Sequence, residues 1–215
     1  MQENTPTFAN REDAGLQLGR ALLDFGTKAD LVLAIPRGGV PLGLIIAELL
    51  KIPLKLCLVR KIGHPFNDEY AIGAVTENDL LLNQTENPDS IHLDASIQKE
   101  KERIREMKEK FGQVATQKDI ADKKIILVDD GIATGTCMLM AIKEIKKMGA
   151  REITVAAPVC PASTKETIGQ STDEIIILKV PSHFEGIGAY YADFTQLTDN
   201  QVIELTKKSP IKATQ

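Results

Sequence analysis

Hydrophobic residues along this chain fall into short unbroken runs separated by stretches of helical period. That alternation is expected when strands buried on both faces are joined by helices. Leu31 to Ile35, Leu54 to Val59, Ile125 to Val128, Ile153 to Ala157 and Glu174 to Lys179 read as five strands. Asn10 is placed to cap a first helix, with Asp13 three residues on; Leu16, Gly19, Leu22 and Leu23 form its apolar face and Gly26 ends it. Val40 to Leu50 is apolar enough for a buried helix. Leu139, Ile142 and Ile145 recur at helical spacing before Gly149, and Ala162 to Gly169 makes a shorter helix. The repeated order strand, helix, strand predicts an α/β fold: an open, mainly parallel twisted sheet with helices on both faces.

The rhythm lapses from Ile62 to Gln117. Leu80 to Asn83 is placed to pair with Ala71 to Val75 as a hairpin on the sheet edge, and Ser96 to Phe111 reads as a charged helix. The only apolar stripe on that helix is Ile97, Ile104, Met107 and Phe111, so it should lie over the domain with its other faces in water. After Pro181 the composition shifts to aromatics in SHFEGIGAYYADFTQL. Thr198 and Gln201 then form a capping box for a last helix through Val202 and Leu205, and Pro210 to Gln215 should fray.

Chemistry concentrates where three strands end, because ligands of open parallel sheets bind beyond the strands' carboxyl ends. Asp129 and Asp130 follow one strand and lead into Gly131, Ile132, Ala133, Thr134, Gly135 and Thr136. The small residues let backbone N–H groups approach an anion, the threonines add hydroxyls, and the following helix presents its positive end. Arg37, Gly38 and Gly39 follow the first strand and offer a guanidinium with two backbone donors; Arg60 and Lys61 close the second with two cations. A ligand carrying a phosphate at one end, hydroxyls in its middle and a second polyanion at the other would meet all three loops.

With 43% hydrophobic residues the chain can bury one substantial core. A net charge of -4 argues against a general nucleic-acid binder, since no basic excess exists to neutralise a phosphate backbone. No apolar stretch is long enough for a bilayer span, and Met1 to Ala9 has no signal-peptide core, so we expect a cytoplasmic protein with no membrane partner. Cys57, Cys137 and Cys160 show no metal-ligand spacing and read as buried free thiols.

VDDGIATGT, Val128 to Thr136, resembles the phosphoribosyl pyrophosphate (PRPP) signature of the type I phosphoribosyltransferases, and IPRGGVPLG stands where that family carries its pyrophosphate loop. The motifs PRGGVPLG, RKIGHP, AIGAV and YYADFTQLTDNQV together resemble a poorly characterised branch of it. A P-loop would end in Gly-Lys-Ser/Thr and a dinucleotide fold would show Gly-x-Gly-x-x-Gly; neither is present. The resemblance implies a core over residues 10–180, carrying a flexible loop, hairpin and charged helix over 62–120, and a hood segment over 181–215. It implies that Asp129 and Asp130 hold the ribose hydroxyls, directly or through Mg2+, that residues 131–136 take the 5-phosphate, and that Arg37, Gly38 and Gly39, aided by Arg60 or Lys61, take pyrophosphate.

The reaction implied is displacement of pyrophosphate from PRPP by an unidentified nitrogenous acceptor. The partners expected are PRPP, that acceptor and a second copy of the chain in a homodimer. Phe184, Tyr190 and Tyr191, with Phe194, are candidates to stack a flat base, and the loop from Ile62 to Glu77 would close over PRPP, bringing His64, Asp68, Glu69 and Tyr70 to the site. Where 6-oxopurine enzymes of the family carry an acidic residue this chain has Ala133, which argues against purine salvage by that route, and no general acid or base is assigned. A PRPP-binding regulator without transfer activity is the alternative reading.

Overall fold

The computed structural model describes residues 7–64, 67–82 and 90–207, with the backbone alone for 64, 67–71 and 90–92. Along the chain run α1 (Arg11–Asp24), β1 (Leu31–Ala34), α2 (Gly39–Leu50), β2 (Leu54–Leu56), β3 (Arg60–His64), β4 (Asn67–Val75), β5 (Leu80–Leu82) and α3 (Ser90–Phe111). Then come α4 (Gln117–Ile120), β6 (Lys124–Val128), α5 (Thr136–Lys147), β7 (Glu152–Val159), α6 (Ala162–Gly169), β8 (Glu174–Lys179), a 3-10 turn (Ile187–Tyr190) and α7 (Asp199–Lys207).

Five strands form one parallel sheet in the order β2-β1-β6-β7-β8. Their unbroken apolar runs supply both faces with period two. Val32, Ala34, Ile126 and Val128 join the core under α1 and α2, while Leu31, Leu33, Ile125 and Leu127 join the core under α5 and α6. The chain winds outward from β1 to β2 and then reverses through β6 to β8, so the topological switch lies between β1 and β6, where Ala34 pairs with Val128.

The caps read from the sequence are present. Asn10 Oδ1 accepts the Asp13 N–H at 2.9 Å, and Thr198 and Gln201 exchange bonds of 2.8 and 3.3 Å at the start of α7. Asn10→Ala should cost about 1 kcal/mol, visible as a lower urea midpoint at unchanged slope; an unchanged midpoint would mean the cap contributes nothing.

Four expectations need correction. The buried face of α1 is Ala14, Gly15, Leu18, Gly19 and Leu22, whereas Leu16 and Leu23 are exposed. The second strand stops at Leu56, and Arg60 and Lys61 open a separate antiparallel sheet, β3-β4-β5, rather than closing β2. The hairpin of Leu80–Leu82 on Gly73–Val75 forms, but in that second sheet and not on the edge of the first; Asn83 lies outside the described residues. The charged helix starts earlier than its stripe suggested, at Ser90, and buries Ile97, Ile104 and Phe111 as expected. Pro210 to Gln215 lie outside the described residues.

Candidate functional site

At the switch point the loop after β1 packs directly onto the aspartates after β6. The Pro36–Arg37 peptide is cis, and Gly38 caps α2. A Cβ on Gly38 would stand 2.0 Å from Asp130 Oδ2, and one on Gly39 would stand 2.6 Å from the Val128 carbonyl oxygen. Glycine is required at both positions by close approach. Gly39→Ala would force backbone apart, so we expect a loss of about 1–3 kcal/mol and a widened crevice; thermal unfolding at wild-type temperature would contradict this.

The Asp129–Thr136 loop runs from β6 into the N-terminus of α5. Ile132 N–H donates to the Val159 carbonyl at 2.9 Å, and the Ala133 carbonyl accepts the Thr164 hydroxyl at 2.8 Å, so both flanks of the loop are pinned. Gly135 has φ +77°, a left-handed conformation that turns the chain into α5. The Thr134 and Thr136 hydroxyls lie 3.2 Å apart, and the first N–H groups of α5 follow them. Ala133 and Thr134 are exposed. Hydroxyls, a tight turn and a helix start together make an anion cradle.

The two aspartates are not equivalent. Asp130 is buried, and its Oδ2 accepts from Arg11 Nε at 2.8 Å. The same guanidinium lies 4.0 Å from the centre of the Phe194 ring and donates through Nη1 to the Thr195 carbonyl at 2.7 Å. The Asp130 carbonyl accepts the Tyr191 hydroxyl at 2.6 Å. Asp130 thus ties α1 and the segment after the 3-10 turn to the centre of the sheet. Burial still holds its carboxyl above the usual carboxylate range, with the Arg11 charge pulling the other way. Asp129 makes no ion pair among the described residues; Oδ1 accepts the Asp130 N–H at 2.8 Å. Although the residue is only partly buried, its carboxyl group is enclosed. Burial first, and the Asp130 charge second, hold that carboxyl well above the usual range.

The cations expected at the site are disposed differently. Arg37 reaches Asp199 at the start of α7, 3.5 Å away, and is largely exposed. Arg60 Nε donates to Glu100 on α3 at 2.8 Å. Lys61 is exposed on β3. The Arg60 and Lys61 charges nonetheless act on Cys137 in the first turn of α5. Its thiol is pushed up to about 11, mainly by burial and then by Asp129, with the two cations opposing. β3, which carries both, packs on α5, so they stand on the antiparallel ribbon β3-β4-β5 rather than at the end of β2.

The aromatic candidates pack against one another and against Phe8. Tyr190 and Tyr191 are only 6% and 5% exposed. Tyr191 packs between Phe8 and Phe194, at 5.3 and 4.8 Å between ring centres, and Phe184 stacks on Tyr190 at 6.0 Å. These rings hold the C-terminal segment onto the fold and leave neither tyrosine a free face for a base. Beside them, a cavity of about 670 Å³ is lined by Arg11, Pro41, Asp193, Thr195, Asn200 and Gln201 among others. The side chains of His64, Asp68, Glu69 and Tyr70 lie outside the described residues. Arg11 itself carried no signal in the sequence beyond its place after a cap, since its partner is 119 residues away.

A family model described as the phosphoribosyl transferase domain matches residues 17–195, which includes both glycine loops and all five parallel strands. The chain belongs to the phosphoribosyl transferase family. Among relatives of this family, a Mycobacterium tuberculosis protein whose name assigns it provisionally to the phosphoribosyl transferases is 33% identical over 201 residues, 91% of this chain and 45% of the relative. The chain thus spans about half the length of that relative. An amidophosphoribosyltransferase from Rhizobium etli is 26% identical over 156 residues, 71% of this chain and 25% of its own length. A crystal structure from Thermus thermophilus shares the fold at TM-score 0.78 and 34% identity, covering 94% of this chain and 98% of the other.

Proposed function

We propose that the protein is a PRPP-dependent phosphoribosyltransferase that uses the crevice between β1 and β6. The observation that carries the reading is the direct packing of Gly38 and Gly39 on the Asp129–Asp130 turn beside the α5 N-terminus. Donors for a pyrophosphate and a 5-phosphate, and a carboxylate acceptor for ribose hydroxyls, then border one crevice.

In this reading residues 131–136 and the first turn of α5 bind the 5-phosphate. Asp129 accepts the ribose hydroxyls, while the backbone of Gly38 and Gly39, with Arg37, receives pyrophosphate. Asp130 has a different role from the one its neighbour takes: held by Arg11, it sets the position of Asp129 rather than serving as a free ligand. Residues present also fit Mg2+. No group of three or more His, Cys, Asp or Glu side chains forms a metal cage among the described residues, and a single carboxylate in an enclosed site suits an ion that takes most of its ligands from substrate oxygens and water. Asp129 would hold it, and the ion would neutralise charge on the leaving pyrophosphate. The protein's own part is to position the donor and to exclude water from it as C1 loses its leaving group.

The acceptor would enter through the cavity beside Arg11. Its walls combine apolar surface, with Pro41, Leu197 and Leu205, and amide, hydroxyl and carboxylate groups, which suits a nitrogen compound with an apolar body and a hydrogen-bonding edge. The test is pyrophosphate release from PRPP and Mg2+ across a panel of nitrogen acceptors, with Asn200→Leu as the cavity control. Release with one acceptor, lost in that variant, is the expected result. PRPP binding without release for any acceptor would favour a non-catalytic regulator.

A further inference from the structure

A second cavity lies away from the crevice, on the other flank of α5. It measures about 440 Å³ and shares no lining residue with the glycine loops or the phosphate cradle. Its apolar walls come from Leu56 and Leu58 at β2, Ile104 on α3, Val114 in the loop after it, Ile120 on α4 and Ile145 on α5. Glu144, eight residues beyond Thr136 and so about 12 Å along the helix, lines it and is only 8% exposed.

The ion pairs around this cavity leave Glu144 without a cation among the described residues. Lys143 and Lys147, its neighbours on α5, both bond Asp79, and Lys108 on the rim bonds Glu77 at 2.6 Å. Among the described residues Glu144 accepts only from neutral groups, the Thr76 hydroxyl at 3.2 Å and the Asn78 amide at 3.5 Å. The Thr76 hydroxyl in turn accepts the Asp79 N–H at 3.0 Å, so the donors are fixed in place. A buried carboxylate costs free energy unless charge or several donors compensate it, and two neutral donors, one of them long, are a weak set. Its charge also reaches Cys57 on the same cavity wall, where burial first and Glu144 second push the thiol up to about 12.

We propose that this cavity is a second ligand site, for a small flat molecule whose apolar body rests on the Ile104 and Ile145 walls and whose amidinium, guanidinium or amino edge donates to Glu144. The site is built from β2 and the residues after it, the β4–β5 turn, α3, the loop after α3, α4 and α5. Occupancy there would bear on the ribbon carrying Arg60 and Lys61 and on the helix that begins at the phosphate cradle. The proposal stands independently of the PRPP reading, because no residue is common to both sites.

Benzamidine is the probe, titrated into the full chain with isoleucine methyl groups labelled for NMR. Its dissociation constant should be on the order of 1 mM, as befits so small a ligand. The Ile104, Ile120 and Ile145 methyls should shift saturably while Ile132 in the cradle loop does not. Glu144→Gln keeps the shape of the site and should weaken binding at least tenfold. Ala115 also lines the cavity, and Ala115→Leu fills it while leaving the carboxylate in place; it should remove the shifts if Glu144→Gln fails to fold. No saturable shift in the wild type, or shifts that survive either folded variant, would overturn the proposal.

Discussion

Arg11→Ala should destabilise the fold by about 3–5 kcal/mol, the cost of leaving one partner of a mostly buried ion pair uncompensated. Asp130 has no second cation among the described residues to turn to, and its carboxylate is wedged against Gly38. The same substitution removes the contact over Phe194 and the bond to the Thr195 carbonyl, so the C-terminal segment loses its tie to α1. For a chain of this size the loss corresponds to a Tm drop on the order of 10 °C. Arg11→Lys should recover only part of it, because an ammonium supplies the charge but not the fork that reaches both oxygens. If Arg11→Ala and the wild type unfold together, the Arg11–Asp130 pair does not organise the site.

Asp129→Asn is expected to act in the opposite direction on stability and far more strongly on binding. The Asp129 carboxyl is raised in the fold, so the folded chain holds that proton more tightly than the unfolded chain. Stability contributed by this group therefore falls as pH climbs from the unfolded value, about 3.9, to the raised folded value, and stays reduced above it. Asparagine keeps the shape, removes the penalty, and should raise Tm at neutral pH while leaving it unchanged in strong acid. Such a gain at the expense of function is the usual mark of a strained binding group. PRPP affinity in Mg2+ should fall at least ~100-fold, equivalent to about 2.7 kcal/mol, since the ribose hydroxyls and the ion lose their one unpaired carboxylate. Unchanged Tm would mean that Asp129 is not strained by burial; unchanged PRPP affinity would move the ribose elsewhere. Asp130→Asn is no substitute, because it breaks the Arg11 pair and confounds folding with binding.

What the sequence reveals follows the range of each interaction. The parallel strands are legible because a strand covered on both faces must be apolar throughout, and Val32, Leu33, Ile126 and Leu127 meet that demand locally. Caps such as Asn10 with Asp13 are legible because both partners lie within one turn. The two glycine loops are legible for the same reason, and the order of the strands brings them together. The break after Leu56 is not legible, since Cys57, Leu58 and Val59 are as apolar and buried as the strand before them; pairing alone decides where β2 stops. Nor is the Arg11–Asp130 contact, whose ends are 119 residues apart. Tyr190 and Tyr191 read either way in the sequence, because packing and ligand stacking call for the same aromatic residue types; in the structure they pack. The setting of Glu144 is not legible either, since its donors Thr76 and Asn78 come from a strand end and turn more than 60 residues earlier.

The central claim is that PRPP occupies the crevice between the two glycine loops. Calorimetric titration of PRPP into the wild-type chain with and without Mg2+ tests it most directly, with Asp129→Asn alongside. Saturable heat that depends on Mg2+ and disappears in a folded Asp129→Asn is the predicted result; no heat in the wild type, or equal heat in the variant, would contradict it.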